Sequence, residues 1–346
     1  MRWKGDELME RQIYPLNAAI CAAAAVVGKK ESEGPLGGEF DLHDVDDRFG
    51  QDTWEKAESE MQRRALSLAI DKSGLGAEGI DLLLAGDLLN QCIGSAYGHL
   101  EFGIPFLGLY GACSTSVEGL LLASLLVGEG RASAAAVVTS SHNCAAERQY
   151  RFPIEYGGQR PPTAQWTVTG SGAFIVMPAD RSPADSVLVV EGMVGRVVEK
   201  GIRDANNMGA AMAPAAIDTL TRYFDASGTC AEDFDLIVTG DLGREGSAIL
   251  CELMAAEGFS LGDRHTDCGR LIYDPLTQDV HAGGSGCGCC AVVTAAHFLP
   301  RLRRGEMRDI LVMATGAMMS PDSVKQGQPI PAVAHLVRLQ APRGEN

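Results

Sequence analysis

A cysteine among small residues is the first candidate for chemistry in this sequence. Residues 111–116 (Gly-Ala-Cys-Ser-Thr-Ser) lie between a strand-like run, 104–110, and a helix-like run, 117–126. A thiol on the first turn of a helix lies near unpaired N–H groups and the positive end of the helix dipole, which favour the thiolate. Cys113 is therefore predicted as a nucleophile. The alternative is that Cys113 is a small buried apolar residue.

Composition limits the classes of protein that this chain can be. It has 346 residues, 46% of them hydrophobic, and a formal net charge of −16. Nucleic acids and anionic membranes need a basic surface, so no nucleic-acid partner is expected. The 10 cysteines are too sparse for a disulfide scaffold and predict a reducing, cytosolic type of compartment. The apolar run 18–27 is too short to span a bilayer and is interpreted as a buried strand.

A helix followed by a strand is the unit that must position these residues. Between Thr53, a good N-cap, and Lys72, apolar residues recur at helical spacing, and Gly74 ends the helix. Residues 80–85 form an apolar run of strand length that ends at Gly86-Asp87. The stretch 28–47 before this unit is rich in turn residues and predicts a long ordered loop.

The same unit recurs later in the chain. Aligned without a gap, residues 67–89 and 221–243 are identical at 10 of 23 positions, which indicates an internal duplication. The alignment makes Asp87 and Asp241 equivalent. In the second copy a Gly-rich turn, 283–290, leads to a helix (291–302) and a strand (310–314). The pattern predicts an α/β fold of two pseudo-symmetric halves, 1–180 and 185–346, with buried parallel-type strands.

The duplicated α/β pattern and the Gly-Ala-Cys-Ser helix start resemble the thiolase and ketoacyl-synthase superfamily. Residues 167–173 (Thr-Val-Thr-Gly-Ser-Gly-Ala) look like the start of the last strand of that superfamily's first half. The resemblance implies a thiolase-like five-layer αβαβα sandwich, usually a homodimer. It also implies that Cys113 stands at the position of the nucleophilic cysteine.

A closer resemblance covers nearly the whole chain. The motifs that carry it are 33–37 (Glu-Gly-Pro-Leu-Gly), 84–91 (Leu-Ala-Gly-Asp-Leu-Leu-Asn-Gln), 111–116, 140–143 (Ser-Ser-His-Asn), 147–149 (Glu-Arg-Gln), 156–159 (Tyr-Gly-Gly-Gln) and 282–287 (Ala-Gly-Gly-Ser-Gly-Cys). They resemble the family of stage V sporulation protein AD. That family binds dipicolinic acid (pyridine-2,6-dicarboxylate), alone or as its calcium chelate. It serves movement of this solute into the developing spore, together with membrane-spanning partner proteins at the spore inner membrane.

The resemblance also shows what the chain lacks. Working members of the superfamily pair the cysteine with a histidine and a second His or Asn on two loops of the second half. Here one loop reads Gly-Asp-Leu-Gly-Arg-Glu (240–245), and a carboxyl with an ordinary pKa of ~4 is a poor base for a thiol of ~8.5. We expect Cys113 to have lost its acyl-transfer partners. His281, before the second turn, is the alternative base, or else a solvated loop histidine.

Several residues could instead hold a dicarboxylate. Two helix N-termini converge in this fold, and Arg148 and Arg151 could pair with a carboxylate, although a salt bridge from Arg148 to Glu147 or Glu155 is the alternative. His142 and Asn143 follow a strand at the carboxyl edge of the sheet, where α/β folds collect ligands. The predicted ligand contacts are Asp87, Cys113, Ser114, His142, Asn143, Arg148, Asp241, His281, Gly284 and Ser285.

Metal roles are weighed separately. Asp87 and Asp241 offer oxygen ligands to calcium carried by the ligand, or they cap the loops that follow them. The cysteines at 287, 289 and 290, near Cys268, lack zinc spacing and are interpreted as helix packing. The segment 301–308 is interpreted as a solvated helix end, with a docking patch for a membrane partner as the alternative. No cofactor is expected.

Three functions therefore remain for comparison. The first is a binding protein for dipicolinate or its calcium chelate, peripheral to the spore inner membrane or the membrane around the forespore. The second is an active acyltransferase that uses Cys113. The third is a structural scaffold of a spore membrane complex.

Overall fold

The computed structural model describes residues 12–150 and 160–343, with side chains described for all of these except 147–150. The strands before residue 180 are β1 (Ile13–Val27), β2 (Leu42–His43), β3 (Leu82–Gly86), β4 (Phe106–Gly108), β5 (Ala135–Ser141), β6 (Trp166–Thr167) and β7 (Gly170–Pro178). Those after it are β8 (Val187–Met193), β9 (Leu236–Thr239), β10 (His265–Asp267), β11 (Gly284–Ser285), β12 (Asp309–Ala317) and β13 (Ala332–Gln340).

The helices fall between these strands. They are α1 (Lys29–Ser32), α2 (Trp54–Ser73), α3 (Ile93–Gly98), α4 (Thr115–Gly128), α5 (Asn143–Tyr150), α6 (Met208–Ser227), α7 (Gly243–Ala256), α8 (Cys268–Leu271), α9 (Cys287–Val293), α10 (Leu299–Arg303) and α11 (Pro321–Lys325). A π-helical turn, Thr294–Phe298, joins α9 to α10. In the part of the chain that is described, no helix is long and apolar enough to cross a membrane.

The order of the strands shows the duplication. The large sheet runs β10-β9-β12-β13-β8-β1-β7-β5-β3-β4, with β2 beside β1. Read outward from the β8–β1 pair, the two sides have the same order and the same pairing senses. The boundary between the predicted halves, 1–180 and 185–346, lies between β7 and β8 and stays a prediction, because the sheet is continuous across it.

The prediction of parallel-type strands is wrong in part. Along the main path of the large sheet, β10, β9 and β12 on one side, and β4, β3 and β5 on the other, pair in parallel. Along that path β1, β7, β8 and β13 run antiparallel to their neighbours, although the short β2 beside β1 is parallel to it. A continuous apolar run indicates burial on both faces, but it does not distinguish strand direction, so the sequence could not predict this mixture.

Helices cover the sheet in layers. On one outside face α2 packs on β1, β5 and β7, and on the other α6 packs on β12 and β13, with α7 against α6. Between the two halves of the sheet lie α4, which contacts strands of both, and α9. Three hydrophobic clusters fill the central layer and the two outer layers. This is the five-layer αβαβα sandwich that was predicted.

Local sequence patterns correctly predicted the ends of the longer helices, but not the bounds of the shorter elements. Thr53 caps α2 by accepting a hydrogen bond from Lys56 N at 3.3 Å, and Gly74 ends it at a φ of 70°. The equivalent Gly228 ends α6 at a φ of 67°. The strand predicted at 104–110 is shorter in the structure, where β4 has three residues and begins just after Pro105, which has no N–H to donate to a ladder. The predicted loop 28–47 contains α1 and β2.

Candidate functional site

The predicted nucleophile lies in a tight turn before α4. Ala112 has a φ of 50°, in the left-handed region that residues with a Cβ rarely adopt. Thr115 holds the turn, since its Oγ1 accepts from Gly111 N at 3.0 Å and donates to Ala112 O at 2.7 Å. Gly316 of β12 approaches so closely that a Cβ there would lie 2.2 Å from Gly111 O. The turn is therefore fixed by contacts from both halves.

The Cys113 thiol faces the second half and is buried. Its Sγ lies 3.9 Å from Ser285 Oγ, and the residue is 6% exposed. Burial raises the pKa of the thiol well above its usual value, and the carboxylate of Asp241 raises it further. The structure therefore favours the alternative of a small buried residue. Desolvation and a neighbouring negative charge outweigh the favourable helix end.

Asp241 is the polar partner of this thiol. Its Oδ2 accepts hydrogen bonds from Ser285 Oγ at 3.1 Å and Gly286 N at 2.9 Å, and its Oδ1 accepts from Thr315 Oγ1 at 3.0 Å. The carboxyl is buried, and burial raises its pKa. Asp241 thus joins the turn before α9 to β12, beside Cys113.

Asp87 occupies the equivalent strand end but has different neighbours. Its Oδ1 accepts from Leu89 N at 2.9 Å, and its Oδ2 accepts from Ser95 N at 2.7 Å and Ser95 Oγ at 2.6 Å. The structure therefore supports the capping alternative for Asp87. Contact of either aspartate with calcium borne by a ligand stays a prediction.

His142 and Asn143 lie beside the loop that precedes α2. The His142 Nε2 lies 2.8 Å from Asp47 O, and the ring packs against Trp54 with the centroids 5.6 Å apart. Burial lowers the pKa of His142. Asn143 N donates to Thr169 Oγ1 at 3.1 Å. The residue predicted to pair with the ligand, Arg148, lies in α5, but its side chain is outside the described residues.

Other residues named in the sequence analysis also lie outside the part of the chain that the structure describes. The side chain of Glu147, the residues Arg151 and Glu155, and the motif 156–159 are not among the described residues. The predicted parts of Arg148, Arg151, Glu147 and Glu155 in ligand binding or ion pairing stay predictions.

His281 turns toward the surface loop rather than toward the thiol. Its Nδ1 lies 2.8 Å from Pro161 O and its Nε2 lies 2.9 Å from Asp279 Oδ1. Both ring nitrogens therefore have partners other than Cys113. Its neighbours in sequence, Gly284 and Ser285, form β11, which pairs in parallel with β6 and brings Ser285 to the thiol. Ser114, on the other side, donates from Oγ to Gly111 O at 2.7 Å.

The cysteines of the second turn pack as the start of α9. Cys287, Cys289 and Cys290 are buried, and Cys287 Sγ donates to Ser140 O at 2.9 Å. A Cβ at Gly288 would lie 2.2 Å from Gly170 O, so small residues are needed at this helix start. Within residues 12–150 and 160–343, no group of three His, Cys, Asp or Glu has the arrangement of a metal site.

Two polar clusters were not predicted. In one, Lys30 Nζ lies 4.0 Å and Arg160 Cζ 4.7 Å from the ring centroid of Trp166. In the other, the buried Glu31 accepts from Thr169 N at 3.0 Å and from the Tyr273 hydroxyl through the same oxygen. Lys30 lies more than 100 residues before Arg160 and Trp166, and Glu31 lies more than 100 residues before Thr169 and Tyr273, so spacing gave no signal. The only hint was that Lys30 and Glu31 precede the motif at 33–37.

Comparisons with known proteins identify relatives of this chain. The family model of Stage V sporulation protein AD (SpoVAD) matches residues 12–340. Stage V sporulation protein AD of Bacillus subtilis (strain 168) is 46% identical over 325 residues, which cover 94% of this chain and 95% of that protein.

Solved structures share the fold of this chain. An OleA variant of Xanthomonas campestris has a TM-score of 0.60 at 16% identity, covering 97% of this chain and 100% of that one. The 3-oxoacyl-[acyl-carrier-protein] synthase III of Aquifex aeolicus VF5 has a TM-score of 0.54 at 13% identity, covering 93% and 99%. At these identities the likeness shows the thiolase-like fold alone.

Proposed function

We propose, since the chain belongs to the stage V sporulation protein AD family, that it binds dipicolinic acid or its calcium chelate. In this proposal it serves uptake of that solute into the developing spore and has no acyl-transfer activity of its own. The observation that carries the second part is the pairing of Cys113 with Asp241 where an acyltransferase needs an imidazole.

Acyl transfer requires a thiolate and a group that accepts and returns its proton. A buried carboxylate beside a thiol disfavours the thiolate, because two negative charges in a poorly solvated place repel each other. All seven histidines lie in the described part of the chain, and within that part none hydrogen-bonds to Cys113. The position of the superfamily's catalytic cysteine is thus kept in Cys113, but among the described residues no histidine is placed to deprotonate its thiol.

The first prediction tests binding and catalysis together. Calorimetric titration of the protein with dipicolinate, with and without calcium, should give saturable binding, because this is the ligand class of the family resemblance. Incubation with acyl-CoA thioesters should leave the peptide that contains Cys113 unmodified in mass spectra. The Cys113→Ala variant, which has no thiol at this place, is the control. Thioester turnover that is lost in Cys113→Ala or His281→Ala supports the acyltransferase alternative. Neither binding nor turnover supports the scaffold alternative.

The proposal includes partners. The chain is expected to act at the spore inner membrane or the membrane around the forespore, with membrane-spanning proteins of the same complex, and to form a homodimer. The feature that supports a homodimer is β4, which forms one end of the main sheet. Phe106 and Leu107 on this strand, and Tyr97 and Leu100 beside it, are exposed. Antiparallel pairing of two such edges continues the sheet and buries these side chains.

The second prediction concerns this edge. Leu107→Glu should convert the dimer to monomer at micromolar concentration in sedimentation experiments, because two carboxylates are brought together across a twofold axis. The matched control is Leu276→Glu, which places the same charge at a residue that is 92% exposed and outside the main sheet, and it should remain dimeric. A monomeric wild-type protein, or a dimeric Leu107→Glu protein, would refute this assignment.

A further inference from the structure

We propose that Lys30, Arg160 and Trp166 form the contact site for a small planar dicarboxylate. This inference rests on the function proposed above and names where its ligand binds. None of the three residues belongs to the set predicted from sequence. The inference depends on how these residues are arranged in space and on their charges.

The arrangement places two cations on one indole. Lys30 Nζ and Arg160 Cζ lie 4.0 and 4.7 Å from the Trp166 ring centroid. Lys30 belongs to α1, just after β1, and the other two residues precede β7. Trp166 is therefore flanked by cationic groups from two distant parts of the chain.

The cluster lies on a different face of the chain from the Cys113 thiol. Trp166 pairs with Gly284 and Thr167 pairs with Ser285 in the short parallel ladder of β6 and β11. Ser285 lies beside both Cys113 and Asp241. Because successive residues of a strand point to opposite faces, the Trp166 side chain lies on the other face of this ladder from Ser285. A ligand bound by the cluster would therefore not enter the space beside Asp241.

The charges of the cluster are only partly matched. Arg160 Nη2 bonds to the Asp279 carboxylate at 2.8 Å and to Asp279 O at 2.9 Å, but Arg160 Nη1 is buried and, among the described residues, has no acceptor. Burial and the nearby guanidinium lower the pKa of Lys30. An unpartnered buried donor is unfavourable, and so is the repulsion between two cations. A bound carboxylate would relieve both in a chain whose net charge is −16.

Two cations and one ring favour a particular ligand chemistry. Each cation can pair with one carboxylate, and the indole holds the two cations together because both lie over its ring. A small planar molecule with two carboxylates satisfies both cations, whereas a monocarboxylate satisfies only one. Because Nη1 is buried, binding requires a small movement of the side chains that cover it.

The third prediction is a calorimetric comparison of variants of the full chain. Lys30→Ala and Arg160→Gln should each weaken dipicolinate binding at least about tenfold, the effect expected on losing one charge-assisted hydrogen bond. The matched control is Lys29→Ala. It removes the same charge from an exposed side chain next to Lys30 and should change the affinity less than about twofold. Wild-type protein should bind picolinate, which has one carboxylate, at least about tenfold more weakly than dipicolinate.

The outcomes separate the site from the function. If wild-type protein binds dipicolinate and both variants bind equally well, the site is wrong and the proposed function stands. If the wild-type protein binds no dipicolinate, both are wrong. Thermal melting checks that each variant is folded. Should Arg160→Gln fail to fold, Arg160→Lys, which keeps the charge but not the planar fork, is expected to weaken binding by a smaller factor, and unchanged binding would again refute the site.

Discussion

Replacing Asp241 by alanine should lower the free energy of unfolding by about 3 kcal/mol, since three buried donors would lose their acceptor. The donors are Ser285 Oγ, Gly286 N and Thr315 Oγ1, from the turn before α9 and from β12. Asp241→Asn should cost less, because the amide keeps one acceptor oxygen and the same size. Chemical denaturation of the two variants and the wild type measures the difference. A loss below about 1 kcal/mol for Asp241→Ala would contradict the role given to this carboxyl.

The same pair of variants reports on the thiol. The carboxylate of Asp241 raises the pKa of Cys113, so Asp241→Asn should lower the pH at which Cys113 becomes reactive. The measurement is the pH dependence of iodoacetamide alkylation at the Cys113 peptide by mass spectrometry. Asp87→Asn is the matched control, because it removes a buried carboxylate at the equivalent strand end whose hydrogen bonds lie within 89–95. Equal midpoints in wild type and Asp241→Asn would show that Asp241 does not govern the thiol.

The contrast between these two aspartates shows how far the sequence alone could lead. The duplication correctly predicted that they occupy equivalent strand ends, and both copies show the same glycine at the end of the preceding helix. Their hydrogen-bond donors differ. The Asp87 carboxylate accepts from residues within the next eight positions, whereas the Asp241 carboxylate accepts from residues 44 and 74 positions away. Repeats and caps are local signals, but such pairings depend on how the two halves pack.

The same reason explains why the sequence left two alternatives open for Cys113. The position of Cys113 before a helix was visible in the sequence, and α4 does begin at Thr115. The pKa, however, depends on burial and on Asp241, 128 residues away, and neither has a local signature. The Lys30, Trp166 and Arg160 cluster is a similar case, since it forms only when β1 and β7 lie side by side. The family resemblance predicted the fold and the position of the Cys113 thiol. The pKa of that thiol and the contacts of the cluster depend on tertiary packing, which the sequence does not show.

The free energy of unfolding of Glu31→Gln, compared with that of the wild type, should be more favourable at pH 8 than at pH 5. Burial raises the pKa of Glu31 to about 7, from 4.5 in the unfolded chain. A raised carboxyl pKa gives stability that is present below the unfolded value and is lost as pH rises through the folded value. The wild type therefore loses about 3 kcal/mol from this group between these pH values. Glutamine cannot ionise, and its oxygen can still accept from Tyr273 and Thr169.

The difference between the two proteins isolates this group, because their other titrating residues are the same. Urea denaturation at pH 5 and pH 8 should show the free-energy difference between variant and wild type shifting by about 3 kcal/mol in favour of the variant. Glu60→Gln is the control: hydrogen bonds from Arg63 and Arg64 lower the pKa of Glu60, so its contribution is already present at both pH values and its difference should not shift. A Glu31→Gln difference that is equal at both pH values would mean that Glu31 is ionised in the folded protein throughout this range.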